Sequence, residues 1–268
     1  MRFAVQSGIR GSHPMSDQPH VAGTSRAGKP SPERIDQIRH LYLEPAGEWA
    51  VRRVERVMAA AGPKPGERVL DLACNLGTFS YHAFRAGARP VGVDRNPVAL
   101  VEGRAIAIAV GGVDTPRVRG DALDLPFADG VFDLVINADF VEHVPDNVKR
   151  PICDEMYRVL RPGGRAVVYS PNLNKIRWEL LGERVKRLVG VRTTPVPRWQ
   201  DFVDPDHFGL TTPGNMIRVM RAAGFRTTSR SFDFHIPGVS RLRASRVFER
   251  LFAAQFSERY LVLGKRPE

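Results

Sequence analysis

Three groups of residues have types and spacing suited to chemistry. The first is Val69-Leu70-Asp71-Leu72-Ala73-Cys74-Asn75-Leu76-Gly77-Thr78-Phe79, which reads as a buried strand running into a tight turn and then a helix. In open parallel sheets such a turn, at the carboxyl end of a strand, is where ligands bind. The second is Asp94, which ends the next strand 23 residues after Asp71 and could accept hydrogen bonds from two ribose hydroxyls. The third is a pair of histidines, His143 and His207, whose unperturbed pKa of about 6.5 suits a general base.

The turn narrows the ligand. Ala73 to Thr78 does not supply G-x-G-x-x-G, so a nicotinamide or flavin dinucleotide is disfavoured. Ala73 keeps a small side chain, and Gly77, nearest the helix, remains a glycine. Asn75 stands where a glycine would adopt an unusual backbone angle, and Asn is the residue after glycine that best tolerates left-handed φ. The turn can therefore still cradle a cofactor.

The chain has 268 residues, 43% hydrophobic and 26% charged, which fits a globular protein with a substantial core. No apolar run approaches the roughly 18–20 residues of a membrane span. Cys74 and Cys153 form no ligand pattern, so the sequence predicts neither a disulfide framework nor a metal site, and a reducing cytoplasm is the expected location. The formal charge of +11 fits either an anionic partner or an arginine-rich coding bias, since 34 of the 40 basic residues are Arg. Its distribution is uneven: Lys175 to Arg198 carries net +5 and Arg218 to Arg250 net +6, leaving the rest near neutral.

The elements that must hold these groups alternate. Residues 1–33 contain four prolines and no apolar h-region, and read as a disordered leader. A helical pattern covers Glu33 to Ala61. Strands are expected at Arg68–Leu72, Pro90–Asp94, Arg117–Arg119, Phe132–Ala138 and Arg165–Ser170, separated by helices, which implies a parallel sheet covered on both faces. Two later strands are expected near Arg226–Phe234 and over Arg259–Gly264. Between Ser170 and Thr212 no strand is legible, and so long a connection suggests function. Thr212 before Pro213 reads as a helix cap.

Five ordered segments carry a resemblance. They are Asp71-Leu72-Ala73-Cys74-Asn75-Leu76-Gly77, Val91-Gly92-Val93-Asp94-Arg95-Asn96, Gly120-Asp121-Ala122-Leu123-Asp124-Leu125-Pro126-Phe127, the run from Phe132 to Val144, and Arg158-Val159-Leu160-Arg161-Pro162-Gly163-Gly164. In order and spacing they resemble class I S-adenosylmethionine-dependent methyltransferases, closest to the broad type 11 group, over about Val69 to Ser170. The resemblance implies an α/β, Rossmann-like seven-stranded sheet, mostly parallel, with an antiparallel C-terminal edge and helices on both faces. It implies one methyltransferase domain over 34–268, with a cofactor core at 66–170, a substrate lid at 171–212 and a C-terminal helix with edge strands at 213–268. It implies S-adenosyl-L-methionine as cofactor, held by Asp71, Ala73, Cys74, Asn75, Gly77, Asp94, Arg95, Asp121, Ala122, Leu123 and Asn137. Asp121 and the next backbone amide would meet the adenine edge, and Leu123 would pack on its face.

Methyl transfer is an in-line displacement that needs the acceptor held close to the methyl group, with a base where a proton must leave, and no metal. His143 is a candidate catalytic residue or a residue that fixes its loop. His207, in Asp204-Pro205-Asp206-His207-Phe208-Gly209-Leu210, is a candidate catalytic or substrate-contacting residue or a loop anchor. Trp199 and Phe202 are candidate walls of the acceptor pocket. A lid helix over Asn174 to Val189 is expected to be amphipathic, with Ile176, Leu180, Leu181, Val185, Leu188 and Val189 near one face and Lys175, Arg177, Arg184, Lys186 and Arg187 on or beside the other. That pattern points to a small or lipid-linked, anionic acceptor, or to contact with an anionic membrane surface. RNA methylation is an alternative that the charge permits, although no RNA-binding module is legible and the basic segments lack interleaved aromatics. A non-catalytic cofactor-binding protein is a third reading, left open by the changes at Ala73 and Asn75.

Overall fold

Alternate residues of the central strands feed two separate cores. On β1 (Arg68–Leu72), Val69 belongs to one hydrophobic cluster, while Leu70 and Leu72 belong to the other. On β4 (Phe132–Ala138), Leu134 and Ile136 share a cluster with Val69, and Val135 joins Leu70. This is the period of two that a strand imposes. It explains why both strands read as continuous apolar runs: each is buried on two faces.

The computed structural model describes residues 30–190, 205–234, 255 and 257–268. Seven strands form one sheet in the order β3-β2-β1-β4-β5-β7-β6. β2 is Arg89–Asp94, β3 Arg117–Arg119, β5 Leu160–Pro171, β6 Arg226–Phe234 and β7 Ser257–Lys265. The first five pair in parallel. β7 runs antiparallel to both β5 and β6. The order reverses between β1 and β4, so the crevice for a ligand lies at their carboxyl ends.

Helices α2 (Glu48–Ala61) and α3 (Thr78–Arg85) cover one face through Val57, Ala61, Phe79 and Ala83. Helices α5 (Asp146–Val159) and α7 (Pro213–Ala222) cover the other through Ile152, Met156, Met216 and Met220. A third cluster joins α1 (Pro32–Ile38) and the π-helical turn Arg39–Leu43 to α4 (Pro97–Gly111), through Ile38, Leu43, Ala99 and Ile106.

Several boundaries differ from the sequence expectation for local reasons. Helix α1 starts at Pro32, inside the segment expected to be leader, because Ser31 caps it: its Oγ accepts from the Arg34 N–H at 3.2 Å. Residues 1–29 of that leader lie outside the described residues. The expected single helical stretch from Glu33 to Ala61 is broken between Leu43 and Glu48, where Pro45 and Gly47 interrupt it. β5 begins five residues early because Phe132 pairs with Leu160 across an irregularity in the ladder. The helix expected over Asn174 to Val189, α6, is Leu173–Leu188. Its Lys175 does not lie on an outer basic face as expected: it is buried, and its ammonium pairs with Glu179 and Glu258.

Candidate active site

The β1–α3 loop takes left-handed backbone angles at alternate residues: φ is 59° at Ala73, 47° at Asn75 and 82° at Gly77. The expectation for Asn75 therefore holds. The sequence marks Ala73 only as a small residue, yet it too is left-handed, a conformation that costs an L-residue about 1–2 kcal/mol. Gly77 has a second constraint. A Cβ there would come within 2.4 Å of the Arg117 guanidinium packed beneath it.

Asp71 is bound within the protein. It is buried, and its Oδ2 accepts from both the backbone N–H and the hydroxyl of Ser80, at 2.7 and 2.8 Å. It thus fastens the first turn of α3 to β1. Burial pushes its carboxyl up to about 6, against the Ser80 hydrogen bonds that hold it down. Cys74 is buried beside it, with a thiol raised by burial, and its N–H donates to Val93 at 2.9 Å.

Asp94 holds the loop tip. Its Oδ2 accepts from the Asn75 N–H and its Oδ1 from the Asn96 N–H, each at 2.8 Å. Each carboxylate oxygen keeps a further lone pair for a ligand hydroxyl. Arg95 is exposed and reaches Asp121 at 3.7 Å. Asp121 accepts from the Leu123 N–H at 3.0 Å, which shapes the turn after β3; Ala122 is buried and Leu123 exposed. Asn137 is fully buried on β4 and its amide donates to the Leu72 carbonyl at 3.3 Å, while its Oδ1 has no partner among the described residues.

The two histidines meet. A 3-10 turn, Val141–His143, follows β4, and the segment 205–211 folds against it. The His143 and His207 ring centroids are 4.8 Å apart, edge to face. The Gly209 N–H donates to the Glu142 carbonyl at 2.7 Å. A Cβ at Gly209 would lie 1.9 Å from the Val144 carbonyl, so only glycine allows this approach. The fully buried Lys149 donates to the Val144 and Gly209 carbonyls at 3.1 and 2.6 Å, and to Asp146. Trp199 and Phe202 lie outside the described residues.

Sequence reading missed three groups, the first two at this rim and the third beneath the β1–α3 loop. Glu142 is buried between His143 and Ser170, whose hydroxyl donates to its Oε2 at 3.0 Å. Burial first, and the charge of Asp139 second, push its carboxyl up to about 8. Asp139 has φ 55° and is clasped by Arg53 and Arg259. Burial raises its carboxyl, but the two guanidiniums outweigh that and hold it below the usual range. Arg259 also stacks over Trp49 at 4.8 Å and Tyr169 at 5.3 Å. No local pattern marks these pairs, because their partners are 86 and 120 residues apart. Arg117 is the third: its guanidinium nitrogens are buried without partners among the described residues. An apolar cavity of about 460 Å³, lined in part by Phe84, Thr115, Phe127 and Phe132, lies by the amino ends of β1, β2 and β4, away from this rim.

A family model described as a methyltransferase domain matches residues 69–164. The chain is 38% identical over 127 residues to a probable chloroplastic tocopherol O-methyltransferase of Oryza sativa, covering 45% of this chain and 34% of that protein. It is 42% identical over 110 residues to a demethylmenaquinone methyltransferase of a Mycobacterium species, covering 41% of this chain and 44% of that protein. The chain thus spans less than half the length of either relative. An S-adenosylmethionine-dependent methyltransferase structure from Mesorhizobium loti matches 80% of this chain and 98% of its own, with TM-score 0.55 and 20% identity, a likeness of fold.

Proposed function

We propose that the chain is a class I S-adenosylmethionine-dependent methyltransferase that methylates a small or lipid-linked, anionic acceptor held at the His143–His207 rim; the methyltransferase-domain match over residues 69–164 and the similarity to named methyltransferases support this reading. The observation that carries this reading is the loop over Ala73–Gly77, bent by three left-handed residues and tied to Asp94, beside the histidine pair at the carboxyl edge of the same sheet. The cofactor's sulfonium supplies an electrophilic methyl group when bound. The residues present fit it: Asp94 keeps acceptor capacity for ribose hydroxyls, Asn137 offers a buried acceptor, and the exposed Leu123 can lie on an aromatic ring. Asp71 would support the loop from below through its hydrogen bonds to Ser80.

His143 and His207 would orient the acceptor and take its proton. The Nδ1 of His143 lies 3.0 Å from the Asp206 carbonyl, which can only accept, so Nδ1 carries hydrogen and Nε2 presents its lone pair. For the acceptor's nature, the support is α6. Its Leu181, Val185, Leu188 and Val189 flank are exposed, interleaved with exposed Arg184, Lys186 and Arg187, a surface suited to an apolar tail beside a negative group. Tocopherol and menaquinone precursors, the acceptors in the relatives' names, combine a ring with an apolar tail. Calorimetry should show S-adenosylhomocysteine binding one-to-one, and radiolabelled methyl transfer to ring-and-tail phenols should exceed that to RNA. Absence of cofactor binding removes the proposal; transfer to RNA alone removes the acceptor assignment.

A further inference from the structure

Glu142, His143 and His207 each offer a ligand atom, and these atoms all lie within 4.8 Å of one another. We infer that the three side chains form a divalent transition-metal site at the rim, and that an ion there holds the acceptor through an oxygen.

The donor set is two imidazoles and one carboxylate, a combination that suits Zn²⁺, Mn²⁺, Fe²⁺ or Co²⁺ and leaves coordination positions open. Ligands on one such ion, at roughly 2.0–2.2 Å each, sit about 3–3.5 Å apart, so small torsional changes close the observed spacing. The surroundings are organised as a metal site requires. The Asp206 carbonyl, 3.0 Å from His143 Nδ1, fixes the tautomer that directs the Nε2 lone pair outward. Ser170 orients the Glu142 carboxylate from the neighbouring strand. The segment bearing His207 is pinned to the turn bearing Glu142 and His143 by the Gly209 N–H and by the buried Lys149 ammonium, so all three ligands are held by one framework. The two guanidiniums nearby pair with Asp139, and Arg259 also attracts the Glu142 carboxylate without pairing with it. An ion at this place would occupy the histidine lone pairs and replace their role as base: it would lower the pKa of a coordinated acceptor hydroxyl, whose proton then leaves to solvent, and so favour oxygen acceptors.

This inference rests on the rim being the acceptor side of the proposed methyltransferase, and the test separates the two. The full chain, stripped with a chelator, is titrated with Co²⁺ and followed by its visible absorption and by calorimetry. One equivalent should bind, and His143→Ala, His207→Ala and Glu142→Gln should each weaken binding about tenfold or more. S-adenosylhomocysteine binding serves as the folding control for each variant; where His143→Ala fails it, His143→Gln replaces it. No stoichiometric Co²⁺ binding, or equal binding by the double histidine variant, overturns the site. Chelation should abolish transfer to a phenolic acceptor and added Co²⁺, Mn²⁺ or Zn²⁺ restore it. Transfer unaffected by chelator overturns the acceptor-holding role. Loss of S-adenosylhomocysteine binding by the wild type would instead count against the function proposal, whatever the metal result.

Discussion

The backbone N–H of Asn75 donates to Oδ2 of Asp94 at 2.8 Å, joining the tip of the β1–α3 loop to the end of β2. One carboxylate therefore shapes the loop and, in the function proposed above, would also meet the ligand's hydroxyls. Asp94→Ala should weaken S-adenosylhomocysteine binding by about 1–3 kcal/mol, because ligand hydroxyls and the Asn75 N–H both lose an acceptor. Asp94→Asn, which keeps one carbonyl oxygen, should lose less. Calorimetry on both variants checks this, and unchanged affinity in the alanine variant would sink the assignment.

The loop's backbone angles make a second prediction. At φ 47°, Asn75→Gly should preserve cofactor binding and Asn75→Val should impair it, lowering stability by about 1–2 kcal/mol. Ala73→Gly, at φ 59°, should be neutral or stabilising by up to about 1 kcal/mol, as relief of strain offsets the greater freedom of the unfolded chain. Thermal unfolding of the three variants separates these outcomes.

Two buried aspartates should respond to pH with opposite sign. Asp71 has a folded pKa raised from 3.8 to about 6, so ionising it opposes folding, and stability from this group falls as pH rises from about 4 to about 6. Asp71→Asn can still accept from Ser80 and removes that penalty. Its stability relative to wild type should therefore increase between pH 4 and pH 8, by at most about 3 kcal/mol. Asp139 is held below its usual range, so its contribution is present above about pH 4 and lost as pH falls through the folded value. Asp139→Asn, which leaves Arg53 and Arg259 buried without a counter-charge, should cost about 3–5 kcal/mol at neutral pH. Melting temperatures across this range test both signs.

Charge on α6 should act on the acceptor alone. Replacing the exposed Arg184, Lys186 and Arg187 by Gln should raise the KM for an anionic acceptor and leave S-adenosylhomocysteine affinity unchanged. Binding of that acceptor should weaken with salt, because exposed charges are screened over about 8–10 Å. A triple variant with wild-type KM in both low and high salt would remove the anionic-acceptor assignment. His207→Ala should lower kcat/KM for the same acceptor and leave S-adenosylhomocysteine affinity unchanged, which steady-state kinetics and calorimetry will show.

What the sequence alone determined is local or periodic. β1 and β4 begin and end where apolar runs and turn residues placed them, since a strand buried on two faces must be continuously apolar. The left-handed angle at Asn75 was legible because few residue types tolerate it. The parallel order and antiparallel edge followed from five motifs whose spacing resembles one family. What only the tertiary structure decided depends on contacts between distant segments. The partner of Asp71, Ser80 on the following helix, was not legible, because the direction of one side chain depends on the helix packed against it. Lys175 looked like part of a solvated basic face, yet Glu258 and Glu179 bury it. Arg53, Asp139 and Arg259 carry no common pattern, and only closure of the sheet brings them together. His143 and His207 were each visible as titratable residues near loops. That they meet, with Glu142 beside them, depends on Gly209 and Lys149 drawing one segment onto another, because hydrogen bonds and close approaches across the fold leave no periodic trace in the chain.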